Sequence, residues 1–525
     1  HPDGGYDVKE TSSAAHFYGK PIASAEAFTG SRYYHCFADQ KNSADYAYAF
    51  GVNEFVLCAS AYQPWIDKYP GSTAGGKHYC LNRNNTYWEY SRPFWDYQAR
   101  CSALMRKGVP VVDICVYLGQ NPPVKLVTYR LPEIPEGYDF DVCTAEALVG
   151  RTMAVDGRLT LPTGISYSLL VIQRNNDMPL HVLRHIAGLV KGGVIVCGPR
   201  PDGSDSLKDK AESEEYRALV DELWGELTTV SQIRKVGKGK IYENIPLSEV
   251  LKYENIRPDI AIKSGNTAKD KVYFVHRRLS DADVYFLNNH SDRAFHDTIR
   301  LRTDARQAEY WDAVTGQRYM IPVKASGEKG MLLNLTLAPR ESGFIVTSNN
   351  QATGLLPRIA DVQETITPIE GSWNVYFDPR WGGPGKVVFD ELIDWTVHAD
   401  TGIRYYSGTA VYHKELNLAM PAQNERLLLR FPRLGSLARV WVNGKEVVTV
   451  WCSPWEADIT SYVHEGKNNL KIEVVNSLMN RMIGDASLPE SERFTYAYPQ
   501  IATPTDKLVP SGIMEQLNLV YRQCQ

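Results

Sequence analysis

At 525 residues the chain has room for roughly three or four domains, and 43% hydrophobic and 11% aromatic content gives it real cores. A net charge of −4, with no long run of one sign, excludes the electrostatic footprint of a nucleic-acid binder. No segment approaches the roughly 18 apolar residues a membrane span needs, and nine cysteines without a C-x-x-C pair argue against a zinc ribbon, a thioredoxin-type site or a disulfide framework.

The opening His1-Pro2-Asp3-Gly4 has neither the form of a secretory signal nor an initiator Met, so the reading expects sequence ahead of it. Pro21–Phe28 is the first strand candidate. It is a short apolar run bounded by Pro and Gly30, which predicts a strand buried on both faces. It carries one carboxylate, Glu26, which is costly to bury without a partner or a task. Phe55–Ala61 and Val109–Leu118 follow as second and third strands, with helix-like stretches at Ser43–Phe50 and Phe94–Lys107. That βα rhythm predicts a parallel sheet. A complete (β/α)8 barrel takes about 250 residues, so residues 1–123 read as the C-terminal part of one. The missing half is expected on other polypeptide, because an open half-barrel leaves strand edges bare.

Residues 124–265 predict a small α/β domain. Tyr138–Val142, Ser168–Ile172 and Gly192–Cys197 are its strands, and Leu180, Leu183, Ile186, Ala187 and Val190 mark an amphipathic helix. Gly237–Lys240 lacks the rest of a phosphate loop and reads as a basic turn before the strand at Ile241. Residues 266–350 predict an antiparallel β domain, with Asp312–Gly316 as a hairpin connection. Residues 365–525 predict a β-sandwich, in which Asn443-Gly444 is a two-residue hairpin turn. The fold class is thus multi-domain α/β plus all-β.

Several phrases together carry a family resemblance. Ser12–Lys20, Ala25–Phe28, Gly51–Asn53, Gln63-Pro64, Gly76–Tyr79 and Thr86–Trp88 resemble the second half of the catalytic domain of glycoside hydrolase family 106, the α-L-rhamnosidases. Val440–Gly444, Asp458–Thr460, Gly466–Leu470, Asn480-Arg481 and Gly484-Asp485 resemble the galactose-binding-like jelly roll appended to many sugar hydrolases. The resemblance implies an exo-acting enzyme that removes a terminal α-L-rhamnosyl residue from an oligo- or polysaccharide with inversion. Inversion needs two carboxyl groups about 6.5–9.5 Å apart. Glu26 matches the family's catalytic glutamate, with its partner expected in the missing half. Asp113 and Glu54, the other carboxylates near these strands, read as structural. Asn53, Gln63 and His78 are candidate hydrogen-bond partners for sugar hydroxyls, and Trp65, Trp88 and Trp95 candidate stacking platforms.

Cys58 stands where the family pattern has His, which puts that subsite contact in doubt. The resemblance also implies a calcium ion near the sugar. Calcium takes six to eight oxygens, and the chain has no D-x-D-x-D-G loop, so its ligands would be dispersed or upstream. A periplasmic or secreted setting is likewise expected from the family. Two alternatives stay open: the same architecture with another sugar specificity, such as a galactosidase or glucuronidase, or a carbohydrate-binding protein without activity.

Overall fold

The computed structural model describes residues 6–523, apart from 59–60, 77–80, 121–123, 125, 127–132, 174–177, 205, 207–212, 228, 266–270, 351–353 and 359–362. Helix α1 (Tyr6–Tyr18) leads into β1 (Ser24–Ala27), α2 (Phe37–Ala49) and β2 (Glu54–Leu57). After these come β3 (Pro70–Ser72), α3 (Arg92–Met105), β4 (Val109–Pro110) and β5 (Ile114–Tyr117). β1 and β2 pair in parallel, with Glu26 opposite Val56. Alternate residues of a strand face opposite sides. Phe55 therefore packs toward the helices, its ring 5.0 Å from that of Tyr48 and 6.0 Å from that of Phe28.

The other face is open: Glu26 is exposed and Val56 is 57% exposed. The expected burial of this strand on both faces is therefore corrected. β1 and β2 form a two-stranded sheet among the described residues, and nothing described lies over their outer side.

The third strand is also corrected. The run Val109–Leu118 breaks at Val111-Val112-Asp113, and neither piece joins β1 and β2. β4 pairs antiparallel with Val272–Arg278, whereas β5 enters a second sheet. Asp113 sits at the break because its carboxylate bonds Arg302 at 2.8 and 3.0 Å.

That second sheet also holds β6 (Phe140–Cys143). A small meander follows, β7 (Met153–Val155), β8 (Arg158–Thr160) and β9 (Ser166–Tyr167), before the sheet resumes with β10 (Leu169–Ile172), β11 (Ile195–Cys197), β12 (Gln232–Val236) and β13 (Gly239–Glu243). Its order is β12-β13-β11-β10-β5-β6, parallel except for β12. The helix Leu180–Lys191 buries the five residues expected of it, Leu180, Leu183, Ile186, Ala187 and Val190. Gly237-Lys238 forms the turn of the β12–β13 hairpin. Helix α1 covers β6: Ser13 Oγ donates to Asp141 at 3.0 Å, and His16 Nδ1 lies 2.8 Å from the same carboxylate. Burial raises the Asp141 pKa, but His16, Lys9 and Tyr167 outweigh it and hold the group below the ordinary carboxylate range.

Two antiparallel sheets follow, with a core of Tyr285, Leu287, Ile299, Leu301, Leu333 and Ile345 between them. The Asp312–Gly316 turn is closed by the Gly316 N–H on the Asp312 carbonyl. The C-terminal part is a β-sandwich of a four- and a six-stranded sheet around Trp373, Phe377, Trp395 and Tyr412. Asn443 and Gly444 both have positive φ, 53° and 78°, as the predicted two-residue hairpin turn requires. A further core joins α2 and α3 to both β regions through Phe37, Tyr97, Phe344 and Trp451. Within it Lys41 is buried, pairing with Asp45 at 2.7 Å and donating to Ser342 at 2.8 Å.

Candidate active site

Glu26 stands near the C-terminal end of β1, on the open face. Its Oε1 accepts a hydrogen bond of 2.7 Å from the Thr29 hydroxyl. No Arg or Lys among the described residues forms an ion pair with it, so the carboxylate faces outward with one oxygen held. The turn that brings Thr29 back is unusual. Phe28 has φ +65°, a left-handed conformation that costs a residue with a Cβ about 1–2 kcal/mol. Its ring packs on Phe55 and Phe94 at 6.0 and 6.1 Å, and the Ser31 N–H closes the turn on the Phe28 carbonyl at 2.9 Å. Strain of this kind clusters at functional sites when the surroundings fix it. The sequence signal was a Thr three residues after the Glu, just ahead of Gly30.

Cys58 follows β2 at the same end, and its N–H donates to the Ala27 carbonyl at 3.1 Å. That places it beside the Glu26 strand end, partly buried.

The other sequence candidates separate. Asn53 is 4% exposed and sits at the opposite, N-terminal end of the strands. Its Oδ1 accepts from Ala23 N at 2.9 Å and its Nδ2 donates to Pro21 O at 3.0 Å. Gln63 accepts from Ser72 N at 2.9 Å and donates to the carbonyls of Pro70 and Ser72. Both amides are spent on backbone, which a buried amide requires. Gly71 next to Gln63 has φ +74°, and a Cβ there would lie 2.4 Å from Gln63 Oε1.

Trp88 is half exposed on a one-turn helix, Trp88–Tyr90, that docks on the C-terminal sandwich. Arg439 donates to the Glu89 carbonyl at 2.7 Å, and Tyr90 reaches Glu473. Trp95 packs edge-on against Phe94 at 4.9 Å in the helical core. Trp65 meets Tyr496 at 5.0 Å. Glu54 opens β2 and bonds Arg106 at 2.8 Å. His78 lies outside the described residues.

Two clefts, of about 870 and 1100 Å³, lie elsewhere, and Glu26 lines neither. The buried and half-buried acids in their walls are already paired. In the first, Arg430 and Arg522 both bridge Glu364 and Glu456. In the second, Arg302 holds Asp113 and Asp259. The second cleft also carries the exposed acids Asp281, Asp304 and Glu328, whereas Glu26 stands at a strand end on an open face. No helix among the described residues is long and apolar enough to cross a membrane. Among them no group of three His, Cys, Asp or Glu converges as a metal site either.

Comparison with known proteins bears on the family. Residues 3–324 match the family model described as glycoside hydrolase family 106, alpha-L-rhamnosidase. Residues 360–521 match the sugar binding domain of glycosyl hydrolases family 2. A solved rhamnosidase from Novosphingobium sp. PP1Y superposes with a TM-score of 0.88 at 28% identity, over 98% of this chain and 49% of that one. A curated relative from Formosa agariphila, named "Putative beta-glucuronidase", is 24% identical over 93% of this chain and 60% of its own length. The chain thus spans about half to three fifths of the length of these two proteins.

Proposed function

The chain belongs to the α-L-rhamnosidase family, glycoside hydrolase family 106, and from that premise we propose that it supplies one of the two catalytic carboxyl groups of an exo-acting, inverting α-L-rhamnosidase. In this reading β1, α2, β2 and α3 are units of a (β/α)8 barrel completed by further polypeptide on the open side. Catalytic groups sit at the C-terminal strand ends of such barrels, which is where β1 carries Glu26. Glu26 acts as general base. Its carboxylate takes a proton from water as the water oxygen bonds to the anomeric carbon. A second carboxyl group, expected on the completing polypeptide, gives its proton to the glycosidic oxygen as the bond to the sugar breaks. Thr29 holds one oxygen of the base and leaves the other to the water.

The observation that carries this reading is the Glu26 carboxylate itself, at a strand end, exposed, unpaired by any described cation and oriented by Thr29. Calcium is part of the family expectation, but the described residues assemble no acidic cluster for it.

The test is Glu26→Gln in the barrel-complete enzyme. Turnover of 4-nitrophenyl α-L-rhamnoside should fall by about 10²–10⁴-fold with the far-UV spectrum unchanged, and near-normal turnover removes Glu26 from the mechanism. A second reading, the same chemistry on a uronic sugar, is favoured by the name of the Formosa agariphila relative. Assay of the 4-nitrophenyl α-L-rhamnoside and β-D-glucuronide side by side separates the two.

A further inference from the structure

The loops that follow β1 and β2 do not end in solvent. The second runs into β3, which pairs in parallel with Tyr496–Tyr498 of the C-terminal domain, Pro70 opposite Tyr496 and Ser72 opposite Tyr498. Thr73 N donates to Tyr498 O at 2.9 Å and Thr73 Oγ1 to Pro499 O at 2.7 Å, while Tyr496 N donates to Tyr69 O at 2.7 Å. From the first loop, Tyr33 is buried among Leu478, Met482, Ile483 and Ala502, with Ala61 of the second loop beside them. Two loops from the Glu26 end and a C-terminal strand therefore make one rim.

That rim carries open aromatic rings. Tyr496 and Tyr498 are two residues apart on a strand and face the same way. Trp65 packs against Tyr496 at 5.0 Å, with Lys68 Nζ 4.1 Å above the Tyr496 ring. Tyr498 is 64% and Tyr62 83% exposed. Rings in a core are buried; Tyr498 and Tyr62 present a flat apolar face with a polar tip, the surface on which pyranose rings stack, and the partly exposed Trp65–Tyr496 pair lies beside them. An exo-acting site takes one terminal sugar, so the rest of the glycan leaves across some part of the strand-end rim, of which this is the part the chain supplies.

We propose that this rim is the subsite for the glycan chain that carries the terminal sugar, with Tyr498 and the Trp65–Tyr496 pair as its stacking platform. The C-terminal domain would then help set which oligosaccharides are cleaved. The inference rests on the Glu26 reading, since the rim gains its meaning from lying at that end of the strands.

The test compares an α-L-rhamnosyl-terminated tetrasaccharide with 4-nitrophenyl α-L-rhamnoside in the barrel-complete enzyme. Tyr498→Ala should lower the ratio of kcat/KM, tetrasaccharide over aryl glycoside, by about fivefold, and Tyr498→Phe should keep it. Equal losses on both substrates, or no change in the ratio, overturn the proposal. So does a Tyr498→Ala that alters only assembly or stability, the result if another segment covers the rim. If the parent enzyme cleaves neither substrate, the Glu26 reading fails by itself. The same tetrasaccharide titrated onto the parent and onto Tyr498→Ala, followed by Trp fluorescence, then decides the rim. Binding weakened about fivefold in the variant supports it, and binding that is absent or unchanged overturns it.

Discussion

His276 offers a perturbation whose size and pH dependence can both be worked from the structure. It is fully buried, with Nδ1 2.9 Å from Asp259 and Nε2 3.0 Å from Asp283, and its ring stacks on Tyr285 at 4.0 Å. Burial pulls its pKa down, but the charges and hydrogen bonds of Asp259 and Asp283 outweigh burial and leave it above the ordinary histidine value of 6.5. Arg302 and Arg278 face the same two carboxylates. His276→Gln removes the cation between two acids. Breaking a buried pair costs about 3–5 kcal/mol, and about 3 is expected here because Asp259 keeps Arg302 and Asp283 keeps Arg278 and Thr303.

The sign follows from the raised pKa. A group that holds its proton more tightly when folded adds stability that is complete below its unfolded pKa, and this is lost as pH rises through the folded one. The melting-temperature gap between parent and His276→Gln should therefore be widest near about pH 6 and narrow by about pH 9. Scanning fluorimetry across that window keeps the carboxylates ionised throughout. A gap that is constant with pH would show an unshifted imidazole, and one that widens would show a native imidazole held neutral; either refutes the reasoning.

Three further outcomes follow from the site. Thr29→Val should cost about tenfold in kcat with little change in KM, and Thr29→Ser should recover most of it, since serine restores the hydroxyl that holds Glu26. Asn53→Ala should lower stability by about 1–3 kcal/mol, leaving a buried N–H and a carbonyl unsatisfied, while KM for the aryl glycoside stays within error. Gly71→Ala, at φ +74° with its new Cβ 2.4 Å from Gln63 Oε1, should destabilise the β3 seam by about 1–3 kcal/mol, read as faster proteolysis at residues 61–73.

Local chemistry was legible wherever it decided the structure by itself. The Asn443-Gly444 turn, the Asp312–Gly316 connection and the helix with Leu183, Ile186 and Val190 inward all depend on neighbours in sequence. The misses depend on distant ones. Val109–Leu118 reads as one apolar strand, yet it divides because Asp113 is claimed by Arg302, 189 residues away. Pro21–Phe28 has the composition of a strand covered on both sides, which composition cannot distinguish from a strand with one face left open. Asn53 and Gln63 are the right residue types for sugar hydroxyls, but both turn their amides to backbone groups nearby. The hold of Thr29 on Glu26 escaped because it depends on a backbone conformation that Phe28 seldom adopts.

The pairing of β3 with Tyr496–Tyr498 also bears on how such proteins diversify. Accessory modules strung on linkers can be exchanged like cassettes. One that lends a strand to its neighbour's loop cannot, because every recombinant must inherit both halves of the ribbon or lose the shape of the entrance. New substrate preferences in this lineage should therefore arise by point changes along the two paired segments rather than by shuffling whole modules.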